Sequence, residues 1–439
     1  FPDSPLKHVG FDAPFLHHLI DEHEQAVLPR LQRLWDYYRN DVEPVGEDPS
    51  ARAASAQSRG LPGRLRRRGE PDVAEREIVI ENDIAWRIHA QVDFMFGKPF
   101  VLQSAADDPD LADRITRTLD RVLARNGGIA LFQDMALLGA VYGYVDVLLR
   151  ADPEELRGRS LEEAADRMML DLIEAPRAVP VLSPRDYRRL DAYLVHYRVW
   201  KNELAEAGWL DRLPLRVADR HRPAAARAST QTTELWTARH LLRFEGDSRQ
   251  RALAEQRANP LGRIPLVHIQ NLSQPLFYEG LSDVEPLIPL QDELNTRLSD
   301  RANRVTFQSF KMYLGKGIET FDQQPIGPGQ MWSTDNLEAS IEAFGGDADN
   351  PSETAHINEI REAMDKASGV TPIAAGLLRN KVGNLTSENA LRIVMMGMLS
   401  RTEKKRVTYG RGISHLCELI LQTLDLAGVL PTRPDQRGV

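Results

Sequence analysis

The chain has a single cysteine among its 439 residues, Cys417, so no disulfide can form within it. That fits a reducing compartment. Cys417 lies in an apolar run of helical sequence, which reads as a buried, inert thiol rather than a nucleophile. No run of about 18 apolar residues occurs, so no membrane span is expected. The nearest approach, residues 129–149, is broken by Gln133, Asp134, Asp146 and two glycines. From Phe1 onward there is no basic-then-apolar leader pattern. Catalytic signatures are also missing. There is no GxxxxGK[ST] to cradle phosphate, since Gly315-Lys316-Gly317 has neither the spacing nor the following hydroxyl. There is no GxSxG elbow. HHLIDEHE at 17–24 is not HExxH, and a spacing of five from His18 to His23 does not align two ligands on one helix face. It reads as a surface amphipathic helix. No catalytic residue, metal site or cofactor is expected.

Bases are outnumbered by acids, 55 to 64, for a net charge of −9. Tight DNA binders are basic on at least one face, because phosphate contacts dominate affinity. The balance argues against a repressor or a nuclease. Hydrophobic content of 42% and the length suit a globular chain of two or three domains.

The most informative stretch is 282–426. Ser282-Asp283-Val284-Glu285 is a capping box opening a helix that runs to about Phe307, with Pro286 and Pro289 expected to kink or break its first turns. A β-rich insertion follows, KMYLG, then PIGPGQMWSTD, then SIEAFGG. A second helix starts at Asn350-Pro351, a cap followed by proline at the first position, and stops at Ser368-Gly369. Its Ile357, Ile360, Met364 and Ala367 form one apolar stripe. After the loop GVTPIAAGLLRNKVGNLT, a last helix runs from about Ser387 to Ala427, with a bend expected near Gly410. Two helices carrying a β tip out and back suggest a stalk, built for assembly.

Upstream, residues 1–40 read as helical, with Leu28, Leu31, Leu34 and Tyr38 at helical spacing. Residues 43–72 read as a loop with five arginines between Arg59 and Arg68, a solvated run or a contact to an acidic partner. Helices are expected over 73–96, 111–126 and 129–138. Strands are expected near 141–150, 178–182, 193–200 and 234–244, and a hairpin tip at 217–232.

The order of these segments resembles the portal proteins of tailed bacteriophages. The matching phrases are IVIENDIAWRIHAQVDFMFGKPF at 78–100, GAVYGYVDVLL at 139–149 and SPRDYRRL at 183–190. They continue with GRIPLVHIQN at 262–271, YEGLSDVEPLIPLQDELN at 278–295, IGPGQMW at 326–332 and LTSENALRI at 385–393. Together they cover roughly residues 30–425. The resemblance implies an α+β portal fold and a ring-forming subunit. Its parts would be a mixed α/β wing (1–281), a stem helix (282–308), a clip (309–349), a second stem helix (350–368), a tunnel loop (369–386) and a very long wing helix (387–427). The tail, 428–439, leaves the family's crown minimal or absent.

The implied function is a dodecameric ring at the capsid vertex, a conduit for packaging and ejecting double-stranded DNA. Implied partners are further copies of the chain, DNA, the terminase large subunit, a head-tail adaptor, and the major capsid and scaffolding proteins. No membrane is involved. The implied place is the virion, after assembly in the host bacterial cytoplasm. An acidic chain suits a channel along which DNA slides. By resemblance, Thr371, Pro372, Arg379, Asn380, Lys381 and Asn384 of the tunnel loop face DNA. Channel-lining candidates on the stem are Arg297, Arg301, Arg304, Glu353, Glu359, Glu362, Asp365 and Lys366. Partner-binding candidates in the clip are Gln323, Gln324, Pro325, Pro328, Gln330 and Trp332. The sequence leaves two alternatives open: another ring-forming head-tail or scaffold protein, and a DNA-processing enzyme.

Overall fold

The computed structural model describes residues 13–40, 79–200, 229–247, 250–309, 312–316, 336, 338–344, 351–375 and 388–439. Helices α1 (Ala13–Glu22) and α2 (Leu28–Arg39) are joined by a π-helical turn, His23–Val27. Then come α3 (Ala85–Phe96), α4 (Pro109–Arg125), α5 (Ile129–Tyr142) and strand β1 (Tyr144–Arg150). Two short helices follow, α6 (Pro153–Leu156) and α7 (Leu161–Asp166), then β2 (Met169–Ile173) and β3 (Ala178–Ser183). Strands β4 (Asp186–Trp200), β5 (Ser229–Trp236), β6 (His240–Asp247), β7 (Gln250–Ala258) and β8 (Leu266–Gln270) complete this half. Beyond them lie α8 (Ile288–Ser309), β9 (Met312–Lys316), β10 (Ser340–Phe344), α9 (Pro351–Ser368), α10 (Glu388–Val394) and α11 (Met396–Leu426).

The chain forms two compact units. The first holds Phe1–Arg39, Ile84–Pro286 and Ser368–Val439; the second holds Asn40–Asp83 and Leu287–Ala367. In unit 1 a three-stranded antiparallel sheet has the order β2-β1-β8, and a five-stranded antiparallel sheet runs β3-β4-β5-β6-β7. Helix α1 covers the larger sheet by burying Leu16 and Ile20 among Val179, Leu194, Leu235 and Leu242. The two sheets are tied by buried Asp146 of β1, which accepts from the Tyr193 hydroxyl of β4 at 2.7 Å, from Tyr278 at 3.0 Å and from His268 Nδ1 at 2.7 Å. The inner face of α11 buries Tyr409, Ile413, Leu416, Ile420 and Leu424, the apolar stripe that their recurrence at three and four residues predicts. Cys417 is fully buried on this helix and its thiol is pushed up to about 12 by burial. In unit 2, α8 and α9 are long helices and β9 pairs antiparallel with β10.

Several expectations need correction. Of the helix expected over 73–96, residues 73–78 lie outside the described residues, α3 starts at Ala85, and residues 79–83 instead bond to side chains of α8, described below. The strand expected at 234–244 is two strands, because Thr237 turns the chain: its Oγ1 accepts the His240 N–H at 2.9 Å while its own N–H reaches the His240 carbonyl. The last helix breaks at Met395 (φ −91°, ψ 3°) and not at Gly410. His23 belongs to no solvated face. It is buried in the π-turn with Nε2 2.9 Å from the Pro176 carbonyl, and burial lowers its pKa. Of the expected hairpin tip, 229–232 lies in β5 and the rest lies outside the described residues, as do the arginines between 59 and 68. Among the described residues no helix is long and apolar enough to cross a membrane.

Candidate functional site

Unit 1 gives up the chain after Pro286 and takes it back at Ser368. One buried polar cluster fastens both places. Ser282 Oγ accepts the N–H groups of Val284 and Glu285 at 3.0 and 3.3 Å and donates to the Val141 carbonyl at 2.6 Å. It caps the 3-10 turn Glu285–Leu287 that precedes α8, the broken first turn expected from Pro286. The neighbouring Asp283, 1% exposed, accepts from Arg401 Nη2 at 2.7 Å, Lys405 Nζ at 2.5 Å and Asn271 Nδ2 at 2.9 Å. Lys405, equally buried, also donates to Gln91 Oε1 at 2.5 Å, and Gln91 Nε2 reaches the Ser368 carbonyl at 3.4 Å. Tyr409 donates to Asn271 Oδ1 at 3.3 Å. Its ring fits because residue 139 is glycine: a Cβ there would lie 1.9 Å from the hydroxyl.

The electrostatics follow from closure. Burial pushes the Asp283 carboxyl up, but the charges of Lys405 and Arg401 and the donors from Lys405 and Asn271 outweigh it and hold it below its ordinary value. Burial pushes the Lys405 ammonium down, against the pull of Asp283. A carboxylate surrounded by donors and shut from solvent cannot work as a base on a substrate. The cluster is a clamp.

Unit 2 has a different device. Gln291, Asn295 and Ser299 stand four residues apart on one face of α8. Their oxygens accept the backbone N–H groups of Asp83, Glu81 and Val79 at 3.1, 3.1 and 3.0 Å. Four residues of helix rise about 6 Å and two of extended chain span about 6.6 Å, so the two periods match. The ladder gives the 79–83 segment the partners that a helix would otherwise supply.

Most stem candidates are engaged. Arg304 pairs with Glu353, and Arg361 of α9 with Glu81. Arg297 lies 2.7 Å from Glu293 and 3.6 Å from Asp300. Glu359 lies 3.7 Å from His356, and Asp365 is half-buried with a partner of its own. Arg301, Glu362 and Lys366 are exposed and form no ion pair among the described residues. Asp283 and Glu285, counted in sequence as acids of the first stem helix, belong to unit 1, where Glu285 pairs with Arg30 at 2.8 Å. Helix α8 itself then balances three acids, Asp292, Glu293 and Asp300, against three arginines.

Of the tunnel-loop candidates, Pro372 is buried and opens a 3-10 turn, and Thr371 accepts from the Ala374 N–H at 2.9 Å. Arg379, Asn380, Lys381 and Asn384 lie outside the described residues, as do all six clip candidates. Among the described residues no three His, Cys, Asp or Glu side chains gather as a metal site. Sequence reading missed the clamp. Its signal was Lys405 in the middle of an apolar helix face, opposite an aspartate directly after a capping serine.

The family model described as "Phage portal protein, SPP1 Gp6-like" matches residues 17–429. No curated protein matches the chain. Among solved structures, a chain in the neck of an empty gene transfer agent particle, computed with C6 symmetry, matches at 11% identity and a TM-score of 0.43, over 79% of this chain and 78% of that one. A chain in the virion of a native gene transfer agent particle matches at 11% identity and a TM-score of 0.39, over 72% and 78%.

Proposed function

The chain belongs to the SPP1 Gp6-like phage portal protein family, and we propose that it is the subunit of a dodecameric ring through which viral DNA is packaged and ejected. Portal proteins of this family are structural components of the virion and not enzymes. In the proposed ring, α8 and α9 are the stem, residues 309–349 the clip and residues 369–386 the tunnel loop. The clip docks the terminase large subunit during packaging and a head-tail adaptor afterwards, through Gln323, Gln324, Pro325, Pro328, Gln330 and Trp332. The wing meets the capsid and scaffolding proteins, and the ring assembles in the host bacterial cytoplasm.

The observation that carries this reading is the family match over almost the whole chain. The closed Asp283 cluster supports it, because it serves to hold the chain where it leaves and rejoins unit 1. On the stem, Arg301, Glu362 and Lys366 are the charges free to face a lumen. Arg379 and Lys381 supply the positive charge of the loop and make weak, sequence-independent contacts with phosphate.

Light scattering and negative-stain microscopy of the full chain test the ring: a closed particle of twelve 49.4 kDa subunits is expected. A monomer at every concentration refutes it. Replacing both Arg379 and Lys381 by alanine should alter DNA packaging or retention with rings intact. Loss of rings instead makes those two residues interface groups.

A further inference from the structure

Unit 1 exposes apolar side chains on opposite sides of its three-stranded sheet. Side chains alternate across a strand, and β8 shows it. Ile269 faces α11, packed so closely on Gly412 that a Cβ there would come within 2.4 Å of Ile269 Cγ1. His268 and Gln270 face the other way, onto the loop 274–279. The ring of His268 stacks on Tyr278 with centroids 3.8 Å apart. Gln270 Nε2 donates to the carbonyls of Phe277 and Tyr278 at 3.0 Å, and its Oε1 accepts the Gln274 N–H at 3.2 Å. This tightly held loop nevertheless turns Leu276 and Phe277 outward, 73% and 55% exposed. Leu276 has φ of +71°, a left-handed conformation that costs a non-glycine residue about 1–2 kcal/mol. Such strain persists where the surroundings fix it and concentrates at binding sites.

Across the sheet, the outward face of α11 carries Met396, Ser400, Glu403, Val407 and Gly410 at helical spacing, with Glu403 paired to Arg406 at 2.6 Å. Met396 and Val407 are 60% and 72% exposed. A Cβ on Gly410 would meet nothing within 4 Å. Among the described residues no packing accounts for a residue that costs a helix about 1 kcal/mol relative to alanine. Lys404 and Arg411 flank this face, exposed and without ion pairs among the described residues, and half-buried Glu279 flanks the loop, near Arg30 but in no ion pair among the described residues.

We propose that Leu276 and Phe277 of one subunit seat on the Val407–Gly410 face of α11 in the next, with Glu279 toward Lys404 and Arg411. The contact rests on the ring reading above. A closed ring of identical subunits needs two different, complementary faces on each. Opposite sides of one sheet supply them, and acid beside the loop matches base beside the helix.

A double variant, Leu276→Cys with Gly410→Cys, is oxidised as assembled rings and run without reductant. A ladder of covalent multimers is expected, absent from either single variant. Buried Cys417 does not compete, its thiol being pushed up to about 12. Separately, Val407→Asp should raise the concentration needed for half-assembly by about tenfold or more, with the subunit's thermal unfolding unchanged. Rings that close at the wild-type concentration in Val407→Asp, or that give no cross-link in the double variant, overturn the contact. A wild-type chain that never closes into rings overturns the ring reading and the contact with it.

Discussion

Replacing Asp283 by asparagine keeps the shape of the clamp and removes its only negative charge. In the wild type three donors converge on that carboxylate within 2.9 Å, two of them cationic. Lys405 is 1% exposed and cannot turn to water, whereas Arg401, with 21% of its side chain exposed, can. Removing one partner of a buried pair leaves the other charged and desolvated, which costs about 3–5 kcal/mol. Asp283→Asn should therefore lower the urea midpoint, followed by far-UV circular dichroism, by an amount equivalent to that figure. Adding Lys405→Met removes the stranded ammonium and should recover most of the loss. The pH dependence has a definite sign. The Asp283 carboxyl is held below its ordinary value when folded, so its contribution is complete above the unfolded value of about 3.9 and is lost as pH falls through the folded one. The asparagine variant should lack that part of the acid sensitivity. A single-variant loss under about 1 kcal/mol would place the pair among weak surface bridges. A double variant as unstable as the sum of the two single ones would show that the charges do not interact.

Two further perturbations address other contacts. Gly139→Ala places a methyl 1.9 Å from the Tyr409 hydroxyl and should destabilise by about 1–3 kcal/mol; adding Tyr409→Phe should relieve part of that, and a neutral Gly139→Ala in thermal unfolding would refute the close approach. Gln291→Leu leaves the Asp83 N–H without its acceptor and the Glu81 carbonyl without a donor. It should cost about 1–3 kcal/mol and speed amide exchange at Asp83, and unchanged exchange would mean that the ladder does not hold that segment.

The long amphipathic helices were legible in the sequence because one residue type repeats at one period. Tyr409, Ile413, Leu416, Ile420 and Leu424 predict the inner face of α11, and the structure buries all five. The capping serine and the broken first turn before α8 were legible for the same local reason. What escaped depends on partners distant in sequence. Residues 79–83 join directly onto the apolar spacing of α3 and so read as its first turns, whereas the side chains of Gln291, Asn295 and Ser299, more than 200 positions away, take up their backbone N–H groups. Strand β7, QRALAEQRA, shows no apolar alternation because most of it is exposed. Gly410 and Gly412 look alike in sequence, yet one faces open space and the other allows α11 to lie on β8. The clamp was half visible: Asp283 stood in a recognised capping box, but nothing local tied it to Lys405.

That difference alters the electrostatics of the proposed channel. Counted along the sequence, both stem helices are net negative, and a ring would turn each into an acidic band. The structure removes Asp283 and Glu285 from the first of them and leaves α8 balanced. Helix α9 retains four acids against two bases, but Glu353 is paired with Arg304. Opposite charges in contact act on a distant phosphate only as small dipoles, and with a screening length of about 8 Å at physiological ionic strength little of that field would cross a lumen. On the two helices, the charges in no ion pair among the described residues are Arg301, Glu362 and Lys366, of mixed sign. In the ring reading, DNA therefore meets a stem less acidic than the sequence count, with seven acids against five bases on α8 and α9 and most of them paired, and Arg379 and Lys381, repeated once per subunit, become the main positive feature along its path. Weak attraction at one level of the channel, with only mild repulsion along the stem, favours a loop that grips and releases DNA.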